Sequence, residues 1–68
     1  MTIGESIRKQ RLDRGWTQTE LSSRTDIAMI TISFYENDRF FPSVISLIAL
    51  ADAFEISLDE LVGRKVQE

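Results

Sequence analysis

The chain has no cysteine and no histidine, and only one proline and three glycines in 68 residues. Without cysteine there is no disulfide and no thiolate metal site. Without histidine there is no imidazole ligand or general base. No nucleophile–base pair can be assembled, no glycine-rich phosphate loop is present, and no acidic cluster has metal-loop spacing. The chain is therefore expected not to be an enzyme, and to use no metal and no cofactor. No apolar run approaches the roughly 20 residues that span a bilayer. Met1 leads into a polar, charged segment rather than a signal peptide. A soluble, cytoplasmic protein with no membrane partner is expected.

What is present fits one small domain with a small core. The formal charge is −3. Residues 1–39 hold six basic and six acidic side chains, whereas residues 40–68 hold two basic and five acidic. A neutral front half can still carry a local positive face, which is what nucleic-acid binding requires. The acidic back half is expected to face away from any phosphate backbone.

Apolar residues recur at helical spacing almost throughout. Thr2 and Glu5 read as a capping box opening a first helix that runs to about Arg14, with Ile3, Ile7 and Leu12 inward. Gly15 stops it. Thr17 and Glu20 repeat the box for a short second helix over residues 18–24, which buries Leu21 beside Trp16. Thr25, Asp26 and Ile27 read as a tight turn. A third helix follows over residues 28–36, with Ile32 and Tyr35 inward, and Asn37 and Asp38 end it. Pro42 and Ser43 open a fourth, whose stripe is Val44, Leu47, Ile48, Leu50, Ala51 and Phe54. Ser57 and Glu60 give a third box for a fifth helix carrying Leu58, Leu61 and Val62, ended by Gly63. The expectation is an all-α, compact five-helix domain over residues 1–63 with a short polar tail, 64–68, that frays. Two short helices joined by a tight turn form a helix-turn-helix unit.

The strings IRKQRLDRGWTQTELSSRTDI, TISFYEND and FPSVISLIALADAFEISLDELVG resemble the Cro/C1-type helix-turn-helix domain of phage repressors and bacterial transcriptional regulators. The resemblance covers about residues 3–63. It rests on R-x-x-R-G-W-T-Q with Leu21 following, T-I-S-x-Y-E-N, the Pro42–Ser43 pair and I-S-L-D-E-L-V-G in order. It implies a lambda-repressor-like fold and a sequence-specific regulator of transcription, often a repressor. Double-stranded DNA would be the partner, with helix 3 in the major groove. Such domains usually bind palindromic operators as homodimers. A chain this short would lack a separate dimerisation or ligand-sensing domain.

The resemblance assigns a phosphate-backbone contact to Gln18 at the start of helix 2, and Thr17, Thr31, Asn37 and Arg39 are further candidates for contact with the same backbone. Thr17 caps the same helix start beside Gln18. Arg11 and Glu36 take positions that in relatives form a partly buried structural ion pair. Asp38 stands where the family commonly has glycine, and its charge would face phosphate if that loop approached DNA.

Helix 3 departs most from the pattern. Residues 27–36 read IAMITISFYE and contain no Lys, Arg, Asn or Gln. Ala28, Met29, Ile30, Ser33 and Phe34 take the base-facing positions, and Ala28 replaces a capping Ser or Thr. Two readings stay open. Apolar side chains can contact the thymine methyl, with Ser33 as a hydrogen-bonding group. Alternatively, the domain is a scaffold for an additional protein partner through this face and the Phe40–Phe41 loop. Phe40, Phe41 and Ile45 are candidates for a dimer or partner surface.

Overall fold

The computed structural model describes residues 1–63, and the expected tail lies outside the described residues. Among the described residues the chain is all-α: α1 Ile3–Asp13, α2 Gln18–Thr25, α3 Met29–Glu36, α4 Val44–Phe54 and α5 Leu58–Val62. Thr25 therefore belongs to α2 rather than to the turn.

Four of the five helix starts are capped by a hydroxyl. Thr2, Thr17, Ser43 and Ser57 each accept the backbone N–H of the third helical residue. Only α1 has the full capping box, with the Thr2 N–H donating back to Glu5 Oε1 at 2.8 Å. At α2 the expected return bond does not form, because Glu20 turns outward to Arg24 at 3.1 Å. At α5 too, only the hydroxyl half is present.

Each helix supplies one fully buried aliphatic residue: Ile7, Leu21, Ile32, Leu50 and Leu61. Each such side chain contributes about 1.5–3 kcal/mol by leaving water. Tyr35, Ala51 and Phe54 complete the cluster, and Ile3, Trp16, Ile27, Leu47 and Ile56 pack around it. Leu12, Val44, Ile48 and Leu58, expected inward, are exposed. In α1 the buried row is Ile7 and Arg11, spaced i, i+4. Arg11 thus takes the inward place, and Leu12, rotated by 100°, falls on the flank. In α4, Leu50, Ala51 and Phe54 fill the core face with Leu47 beside them. That leaves Ile48 rotated away and Val44 in the solvent-facing first turn. The single turn of α5 buries Leu61 alone.

Two close approaches fix α1 against its neighbours. Gly4 is buried, and a Cβ there would overlap the Tyr35 carbonyl oxygen. Buried Ser6 donates its hydroxyl to the Leu61 carbonyl, tying α1 to α5.

Candidate nucleic-acid interface

The turn between α2 and α3 is held by side chains as well as backbone. Asp26 adopts the left-handed conformation at φ 59° and donates its N–H to the Ser22 carbonyl. The Ser22 hydroxyl donates to the Ile27 carbonyl at 2.6 Å. Thr25 Oγ1 donates to the Leu21 carbonyl at 2.8 Å and accepts the Ile27 N–H at 3.2 Å. Half-buried Ile27 anchors the turn to the core. These bonds fix the angle at which α3 leaves α2.

Behind α3 lies a buried polar junction. Arg11 Nε donates to Glu36 Oε2 at 2.7 Å, and Arg11 Nη2 donates to Glu36 Oε1 at 2.9 Å. Both residues are only 8% exposed, so the pair is buried. The two parallel bonds offset the cost of removing the charges from water. Glu36 hydrogen bonding holds the Arg11 guanidinium above its already high ordinary value, despite the opposing effect of burial. Arg11 Nη1 also donates to the Trp16 carbonyl at 2.8 Å. Gln18 Nε2 reaches the same carboxylate, at 3.3 Å from Glu36 Oε1. One carboxylate therefore joins α1, α3 and the first residue of α2. The link from Gln18 to Glu36 carries no periodic signature, and sequence reading missed it.

The predicted phosphate-facing residues fall into different environments. Thr17 is exposed, with its hydroxyl engaged in the α2 cap. Gln18 and Thr31 are half-buried. Asn37 donates its amide to the Ser33 carbonyl at 2.8 Å, closing the end of α3. Arg39 is exposed and makes no ion pair among the described residues.

Asp38 is engaged within the domain. It sits at φ 58°, just past α3, where the Arg39 N–H reaches the Phe34 carbonyl at 2.9 Å. That left-handed backbone costs a non-glycine residue about 1–2 kcal/mol. The carboxylate makes use of the position. It accepts the Thr2 hydroxyl at 2.9 Å and the Gly4 N–H at 3.2 Å. Its charge is thus turned onto the positive end of the α1 dipole, where a carboxylate is stabilising.

The exposed face of α3 is apolar and small. Met29 is 51% exposed and Ile30 59%, with Ala28 also exposed. Ala28 offers no side-chain cap, and no acidic residue lies in the first turn. Ser33 is half-buried. Phe34, expected to face outward with this set, is half-buried and packs edge-to-face on Phe40 at 5.1 Å between centroids. Packing removes most of it from the free face. The Thr19 hydroxyl donates to the Met29 sulfur at 3.2 Å, a weak bond that still orients the side chain.

Further exposed apolar side chains follow α3 in the sequence. Phe41 is 82% exposed and Ile45 81%, with Phe40, Val44 and Ile48 exposed beside them in sequence. Among the described residues no group of three or more acidic side chains gathers as a metal site. No helix there is long and apolar enough to cross a membrane.

A helix-turn-helix family profile matches residues 7–61. The chain is 36% identical over 64 residues to the cryptic phage CTXphi transcriptional repressor RstR of Vibrio cholerae, covering 94% of this chain and 57% of that protein. It is 32% identical over 65 residues to the immunity repressor protein of Bacillus phage phi105, covering 96% of this chain and 45% of that one. The chain thus spans about half the length of these two relatives. Among solved structures it is similar to the P22 c2 repressor protein in complex with a synthetic operator. The TM-score is 0.87 at 28% identity, covering 96% of this chain and 98% of that one.

Proposed function

The chain belongs to the Cro/C1-type helix-turn-helix family, and from that premise we propose that it is a sequence-specific double-stranded-DNA-binding regulator of transcription, acting as a repressor. The observation that carries this reading is the α2–turn–α3 unit itself. Its turn is locked by side-chain bonds, and the arrangement resembles a repressor described with its operator. α3 lies in the major groove and presents Ala28, Met29, Ile30 and Ser33 to the bases, with Phe34 at the margin. Thr17, Gln18, Thr31, Asn37 and Arg39 meet the phosphate backbone and set the register. Gln18 is steadied for this by Glu36.

The protein binds a palindromic operator as a homodimer, one copy per half-site. Phe40, Phe41 and Ile45, with Val44 and Ile48, are the surface on which the second copy packs. Their exposure also favours a second reading, in which the domain is a scaffold for a different protein.

Selection from randomised duplexes, followed by titration at several salt concentrations, tests the DNA reading. Affinity should fall steeply as salt rises, and Arg39→Ala should flatten the logarithmic slope by about 0.9. Folded protein that enriches no sequence would sink it. Phe41→Asp separates the surfaces: it should abolish dimer formation in sedimentation experiments while single-site DNA contacts persist.

A further inference from the structure

We propose that Asp38 is a positioning residue for DNA binding: tied to the start of α1, it fixes the backbone from which Arg39 reaches a phosphate. This rests on the DNA-binding reading above and adds the residue that holds one of its contacts in place.

Asp38 and Arg39 close α3 in a Schellman turn. The Asp38 N–H donates to the Tyr35 carbonyl at 3.1 Å, and the Arg39 N–H donates to the Phe34 carbonyl at 2.9 Å. Such a turn takes a left-handed residue, most readily glycine, and Asp38 fills that place at φ 58°. Both of these bonds are backbone to backbone, so glycine would make them without the steric cost of a Cβ. What the aspartate adds lies outside the turn. Its two oxygens accept the Thr2 hydroxyl at 2.9 Å and the Gly4 N–H at 3.2 Å. Gly4 leaves room for this approach, since a Cβ there would stand 2.5 Å from Asp38 Oδ1.

The tie has two consequences for Arg39. The first is electrostatic. Among the described residues Asp38 makes no ion pair, and its carboxylate is met by neutral donors at the positive end of the α1 dipole. The charge is thus held by α1 and not by its neighbour in the chain. Arg39 is left exposed, with its guanidinium bound to no carboxylate among those residues. The second is mechanical. Asp38 is anchored to α1 on one side of Arg39, and Phe40 is packed on Phe34 on the other. Asp38 and Phe40 also line one recess of about 30 Å³ with Ile3, Gly4, Phe41 and Pro42. A backbone held on both sides leaves less to be ordered when the side chain meets a phosphate.

The test compares Asp38→Gly with Asp38→Asn. Both remove the same charge, and both residues accept the left-handed backbone. Asn keeps a side-chain acceptor and donor for Gly4 and Thr2, whereas Gly keeps neither. Their difference therefore reads the tie and not the charge. Each variant, shown to be folded by circular dichroism, is titrated by fluorescence anisotropy against duplexes that the wild type enriches from a randomised pool, at several salt concentrations. Asp38→Gly should bind more weakly than Asp38→Asn and flatten the logarithmic salt slope by about 0.9, the share of one phosphate. In an Arg39→Ala background the two should bind alike. Thr2→Ala cuts the same tie from its other end and should flatten the slope as well, again only while Arg39 is present; this comparison decides if either Asp38 variant is unfolded. Equal affinities and slopes for the Gly and Asn variants, or an unchanged slope in Thr2→Ala, would overturn the inference while leaving DNA recognition intact. So would a difference that persists without Arg39, because the tie would then serve the fold alone. Enrichment of nothing by folded wild type would overturn this inference and the DNA reading together.

Discussion

The buried face of α3 presents Ile32, Tyr35 and Glu36, while its exposed face presents Met29 and Ile30. An ordinary amphipathic helix keeps its charge in water and its large apolar residues inside. Here the one charged residue of α3 is buried and two large apolar residues are left out. The difference separates two tasks. Glu36 ties three helices through directional bonds to Arg11 and Gln18, which an apolar side chain could not make. Met29 takes part only in the weak bond from the Thr19 hydroxyl to its sulfur, Ile30 has no polar group to tie, and both side chains stay exposed. Position on the helix therefore distinguishes residues kept for architecture from residues available to a partner.

The sharpest way to break this contrast is to remove the buried charge. Glu36→Ala should destabilise the domain by about 3–5 kcal/mol, because Arg11 is left charged, buried and unpaired. Urea unfolding measures it, and a domain this small could lose its folded state entirely. The double variant Arg11→Met with Glu36→Leu should recover much of the loss, since no desolvated charge remains. A single variant that loses less than about 1 kcal/mol, the usual range of an exposed pair, would place Glu36 with the solvated surface charges.

The second prediction concerns the start of the same helix. α1 is capped by Thr2 and by Asp38, whereas α3 begins at Ala28 with no side-chain bond. Ala28 already has the extended backbone of a cap, at φ −57° and ψ 140°. Ala28→Ser should therefore stabilise by about 1 kcal/mol, read as a higher melting temperature. No gain would mean that the free N–H groups of α3 are already satisfied, and that the exposed half of the contrast is less open than it looks.

Local signals made most of the frame legible. The hydroxyl caps, Gly15, Gly63 and the i, i+3, i+4 spacing of Leu47, Leu50, Ala51 and Phe54 marked the helices. The ion-pair partners Arg11 and Glu36 were legible through family resemblance alone. Periodicity could not reveal that Arg11 would claim the inward place at the expense of Leu12, because that depends on a partner 25 residues away. It could not assign Asp38 to the start of α1, a contact closed by the fold across 34 residues. Phe34 and Phe40 likewise meet only once α3 ends and the chain reverses. Long-range pairings are invisible to a local pattern. The candidate site, which depends on them, was therefore less legible than the helices.

The smallest expected effect tests the contrast from its polar side, with a carboxylate that is bonded but exposed. Glu5 accepts the Thr2 N–H in the α1 box, and its own N–H is bonded by the Thr2 hydroxyl. The Thr2 backbone bond, aided by the Thr2 side chain, holds the Glu5 carboxyl below its ordinary value. The folded state thus binds this proton less readily than the unfolded chain. Its stabilising contribution is complete above the ordinary glutamate range and is lost as pH falls through the lower, folded value. Glu5→Gln has no proton to bind there, so its stability should decline less steeply across that acid window, measured by urea titration at successive pH values. Solvent screens this exposed group, so the change in slope should be far smaller than the loss caused by Glu36→Ala. If wild type and Glu5→Gln declined in parallel, the Glu5 bond would add nothing. If Glu5→Gln rivalled Glu36→Ala, burial would cease to explain why the polar side of α3 governs the fold.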